Sequence, residues 1–112
     1  MRRNLPALAM VAVLAGGVPA AAQQLGDPAA GQRLAEMWCG NCHVIGPNVV
    51  GPGSDAVPTF PTIARRPSTT AMALRVFLQT PHARMPDIQM SREQIDDVIA
   101  YILSLRDRWP EQ

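Results

Sequence analysis

Cys39-Gly40-Asn41-Cys42-His43 constrains this chain more than any other stretch. Two thiols separated by two residues and followed at once by a histidine form the attachment signature of c-type haem: each thiol adds across a vinyl group, and the imidazole binds the iron. Residues three apart on a helical turn project to one side, so Cys39 and Cys42 reach two neighbouring vinyl groups of one porphyrin, with His43 beneath the iron. A redox disulfide of the thioredoxin type would require a strand before the motif and a long helix after it. This chain has a helical pattern before the motif and a Gly/Pro-rich loop after it, which favours haem. Zinc requires four ligands, and Cys39, Cys42, His43 and His82 are the whole supply of Cys and His.

The N-terminus reads as an export signal. Arg2 and Arg3 form a positive start, Leu5 to Ala15 an apolar core, Gly16, Gly17 and Pro19 a break, and Ala20-Ala21-Ala22 a cleavage site before Gln23. Cleavage there makes residues 1–22 a signal peptide and 23–112 the mature domain, placed in the bacterial periplasm. The uncharged span from Asn4 to Gly26 is long enough to serve as a membrane anchor if it is retained; the small residues and breakers at its end favour cleavage. Export suits the cysteine usage, because haem attachment consumes both thiols.

A domain of this size fills its core thinly. Its aromatic side chains are few (Trp38, Phe60, Phe77, Tyr101 and Trp109), and a buried porphyrin would supply the missing apolar volume. Without Arg2 and Arg3, eight arginines face nine Asp/Glu, and the chain has no lysine. Nothing in that balance resembles a polybasic nucleic-acid surface.

Asp27-Pro28 is a helix start, with Asp27 as cap and Pro28 at the first helical position. Gly31, Leu34, Ala35 and Trp38 then fall at helical spacing and predict a first helix over 28–38 that runs into the haem motif. Gly31 lowers helix stability by about 1 kcal/mol relative to Ala, which points to close approach of another element. Residues 44–59 carry too much Gly and Pro for a regular element. This loop either supplies the backbone carbonyl that accepts the second ring N–H of His43 or is a surface excursion stiffened by Pro47 and Pro52. A helical turn is expected over Phe60 to Arg65, where Arg65 and Arg66 are candidate partners for haem propionates. Ser68, Thr69 or Thr70 caps a further helix with Leu74, Phe77 and Leu78 as its apolar stripe, flanked by Met72 and Val76. Pro81 ends it. Ser91 and Gln94 form a capping box for the last helix, in which Ile95, Val98, Ile99, Ile102 and Leu105 share one face and Met90 staples onto Ile95.

Whether the iron is closed by a second side chain separates electron transfer from ligand binding or catalysis. The candidates are Met37, Met72, Met85, Met90 and His82. Met37 is expected in the core beside Trp38, Met72 in helix packing, and Met90 at the cap. Pro86 disfavours helical geometry at Met85 and presents it from an extended loop, so Met85 is the expected sixth ligand, with bis-histidine ligation through His82 as the competing arrangement.

The helix with Gly31, the Cys39-x-x-Cys42-His43 motif, the Gly/Pro loop, Arg84-Met85-Pro86 and a last helix with Ala100-Tyr101 together resemble a class I c-type cytochrome over the whole mature chain. The resemblance implies an all-α cytochrome c fold of three main helices and short helical turns around one covalently bound haem c. It also implies His43 and Met85 as axial ligands, and a tight crossing of Gly31 with Tyr101. Ala35 stands where many relatives carry an aromatic, the loop after His43 is short, and the lysine ring that many relatives use for docking is absent. The expected function is one-electron transfer between redox protein partners by a monomeric, non-enzymatic carrier. The alternatives are a cytochrome subunit of a larger periplasmic oxidoreductase and, third, an open-site ligand-binding haem protein.

Overall fold

The computed structural model describes residues 26–47 and 56–108. The expected signal peptide, the middle of the Gly/Pro loop and Trp109 lie outside them. Four helices follow in order: α1 (Pro28–Trp38), α2 (Phe60–Arg65), α3 (Ala71–Gln79) and α4 (Arg92–Ser104), and no strand occurs among the described residues. None of these helices is long and apolar enough to cross a membrane.

Each helix begins where local chemistry dictates. The Asp27 carboxylate accepts from the Ala29 N–H at 2.9 Å with Pro28 in the first turn. Thr59 and Thr70 cap α2 and α3 through their hydroxyls. Of the three expected cap candidates for α3, Thr70 is the one used. Ser91 and Gln94 form the complete capping box of α4: Gln94 N–H donates to the Ser91 hydroxyl, and Ser91 N–H donates to the Gln94 side chain at 2.8 Å. Such caps satisfy amide groups that the first turn of a helix leaves without partners.

α4 is the element against which α1, α2 and α3 all pack. Its face of Ile95, Val98, Ile99, Tyr101 and Ile102, continued by Leu105, is buried, and Met90 packs on the same cluster. α1 meets it through its smallest side chains, Gly31 and Ala35. A Cβ on Gly31 would collide with the Asp97 carbonyl and lie 2.9 Å from Tyr101 Cβ, so the close crossing expected from that glycine is present. The approach is fixed from the other side too, as the Asp97 carboxylate accepts from the Asp27 N–H at 2.7 Å. Arg106, just beyond α4, donates to the carbonyls of Ala64 (2.9 Å) and Thr69 (2.7 Å), tying the end of α2 and the approach to α3 to the same helix.

Three apolar side chains depart from expectation. Met37, expected in the core, is 64% exposed, and Met72, expected to pack, is 68% exposed. Phe77, assigned to the stripe of α3, is 47% exposed while Leu74 is buried. The reason is geometric: successive helical residues are about 100° apart, so Leu74 and Leu78 can face α4 together but Phe77 points to one side.

Candidate haem site

α1 delivers the motif. Its C-cap is Cys39, whose N–H donates to the Ala35 carbonyl at 2.8 Å, and the chain continues in a turn in which the Cys42 and His43 amides both donate to the Cys39 carbonyl, at 3.1 and 2.9 Å. One turn thus carries both thiols and the imidazole. Cys39 is buried and Cys42 exposed, and they are not joined by a disulfide. Burial, reinforced by the neighbouring Cys42, pushes the Cys39 thiol up to about 11. A redox-active thiol of the thioredoxin type needs the opposite shift, and a helix rather than a strand precedes the motif.

His43 is held by the returning chain. Its Nδ1 lies 2.8 Å from the Pro58 carbonyl oxygen. A carbonyl can only accept, so Nδ1 carries the proton and Nε2 keeps its lone pair for a metal. The loop thus supplies the carbonyl; which residue would do so is not readable from a run so rich in proline. Phe60 completes the support: its N–H donates to the Val44 carbonyl at 2.9 Å, and its ring lies 5.4 Å from the His43 ring and 6.4 Å from that of Tyr101. The Tyr101 hydroxyl in turn donates to Ile45 at 2.8 Å.

Met85 lies on a different segment. It is half-buried in the connection between α3 and α4, and pairs with His82 in an isolated antiparallel bridge. No hydrogen bond or ring contact joins it to the Cys39–His43 turn among the described residues. The His82 ring lies tilted against Phe77 instead, with centroids 3.7 Å apart. Phe77 and His82 also wall a cavity of about 590 Å³ along α3, together with Ala73 and Val76; Cys39, Cys42, His43 and Met85 are not among its walls. No group of three or more His, Cys, Asp or Glu among the described residues could hold a bare metal ion.

These residues fit a covalently attached haem: a thiol pair on one turn for two vinyl groups, an imidazole with the correct nitrogen free, and no competing metal cluster. A helical frame carrying that turn defines a c-type cytochrome. Residues 26–102 match the family described as cytochrome c oxidase, cbb3-type, subunit III, and the chain belongs to that family. It is similar to cytochrome c-552 of Bradyrhizobium diazoefficiens, with 42% identity over 80 residues that cover 71% of this chain and 76% of the relative. No solved structure matches the chain. The protein is accordingly a small, single-haem electron-transfer cytochrome with covalent haem c, which supplies a one-electron Fe(II)/Fe(III) couple.

Proposed function

We propose that this cytochrome is an exported carrier in which Cys39 and Cys42 form the thioethers and His43 and Met85 close the iron on its two sides. The observation that carries the reading is the 2.8 Å contact of His43 Nδ1 with the Pro58 carbonyl, which leaves Nε2 free to bind iron. Electron transfer by a six-coordinate centre needs little motion, and the rigid seat of His43 between Pro58 and Phe60 suits that requirement. Removal of residues 1–22 would leave the mature periplasmic chain of residues 23–112. Acidified organic solvent should fail to extract the pigment, and the mass should equal that of residues 23–112 plus one haem. An extractable haem, or a colourless folded protein with a Cys39 to Cys42 disulfide, overturns the reading.

A second reading, a cytochrome subunit with one fixed oxidoreductase partner, draws on two observations. The family's description names a subunit of an oxidase, and α3 exposes Met72 and Val76, apolar side chains suited to a lasting interface. Purification from membranes and soluble fractions of the native host distinguishes the two: a free carrier elutes alone, a subunit with its complex.

A further inference from the structure

We propose that His82 is the positioning residue for Met85: its ring, packed against Phe77 of α3, pins the turn from which the thioether reaches the iron. The inference rests on the reading of Met85 as the sixth ligand.

Met85 sits on a connection with little structure of its own. α3 stops at Gln79, where the Thr80 hydroxyl turns back to the Val76 carbonyl at 2.6 Å, and α4 starts only at Arg92. Residues 86–90 adopt neither helix, strand nor turn. A neutral thioether presented from such a segment stays in place only as well as its supports hold it, since site geometry is set by the packing of the residues behind it.

The described supports converge on His82. The antiparallel bridge ties its backbone to that of Met85, so whatever fixes residue 82 fixes residue 85. Its side chain contacts Phe77, with ring centroids 3.7 Å apart and planes tilted by 48°. Phe77 is anchored in turn, because α3 is seated on α4 through buried Leu74 and through the ion pair of Arg75 with Asp96. A continuous path therefore runs from α4 through α3, Phe77 and His82 to Met85. It also explains why a phenylalanine is kept 47% exposed on α3: one of its faces is the platform for His82.

Binding of cyanide or imidazole to the ferric holoprotein requires Met85 to leave, so apparent affinity reports the fraction of open molecules. In the wild type the thioether charge-transfer band should be present. In His82→Ala the band should persist at rest, while cyanide should bind faster and with affinity raised roughly two- to tenfold, the worth of one ring contact. His82→Phe, which keeps a ring and removes both nitrogens, should restore wild-type behaviour. Phe77→Leu should reproduce His82→Ala, and combining the two should add nothing further; it also reads the same contact if His82→Ala does not accumulate. Unchanged cyanide binding in both single variants, or a His82→Phe variant as open as His82→Ala, overturns the positioning role. A wild type without the thioether band, its spectrum unaltered by Met85→Ala and lost in His82→Phe, overturns the ligand assignment itself and the proposal with it.

Discussion

The hydroxyl of Tyr101, on the buried face of α4, donates to the carbonyl of Ile45, two residues after His43, across 2.8 Å. One side chain thus joins the helix that organises the core to the loop that follows His43. A Cβ on the adjacent Gly46 would lie 2.8 Å from the same hydroxyl, so the loop has no room to slide along it.

Tyr101→Phe should leave the ring packing on Phe60 and strand a buried carbonyl, at about 1–3 kcal/mol. Burial is the first cause that raises the Tyr101 pKa above its ordinary value, with Glu36 adding to it and Arg108 opposing it. A phenol raised in the folded state contributes stability that is present below about pH 10 and lost as pH rises through its folded value. Chemical unfolding followed by circular dichroism should therefore show a loss at neutral pH and a shallower decline above about pH 10 in the variant. Equal alkaline slopes in the two proteins would contradict this origin of the decline.

Gly31→Ala puts a methyl group into the backbone of Asp97 at the α1–α4 crossing. Helix propensity favours alanine by about 1 kcal/mol, but a backbone carbonyl cannot rotate away as a side-chain tip can. Overpacking should dominate, with a net loss of about 1–3 kcal/mol. The denaturation midpoint of the holoprotein checks the sign; a stabilised variant would show that the crossing yields.

Much of this architecture is legible in the residues because caps and helical period are local signals. Asp27-Pro28, the Ser91/Gln94 box and the spacing of Ile95, Val98, Ile99 and Ile102 each settle an element without reference to anything distant. Side-chain facing is less local. Met37 stands two residues, about 200°, from Ala35, and is therefore turned from α4, although its residue type suits a core. Pro58 as the acceptor for His43 depends on how the Gly/Pro loop closes, and the engagement of His82 with Phe77 depends on where α3 docks. Neither follows from periodicity.

Electron exchange should respond weakly to salt. Residues 23–112 carry eight arginines and nine acids, and Arg75 is paired with Asp96. Of the others, Arg33 lies on α1, Arg65 at the end of α2, Arg84 beside Met85 and Arg92 at the start of α4, all exposed and on separate elements. Steering needs a strong field of one sign. Stopped-flow rates with the physiological partner should change by less than about threefold between low and physiological ionic strength. A steep dependence would show that folding gathers these charges on the docking face.

Met85→Ala should open the iron while leaving His43 in place, since His43 is seated by Pro58 and Phe60 and Met85 by His82. The ferric spectrum should become high-spin or water-ligated, carbon monoxide and cyanide should bind readily, and the reduction potential should fall with loss of the thioether. Met90→Leu is the matched control: Met90 packs on the core cluster that contains Ile95, and a volume-conserving swap there should cost under about 1.5 kcal/mol with no spectral change. Met37→Leu and Met72→Leu should be spectrally silent as well; their side chains are mostly exposed, on α1 and α3. His82→Ala discriminates the bis-histidine arrangement: if it alone opens the iron at rest, and Met85→Ala leaves the spectrum as it was, the sixth ligand is His82.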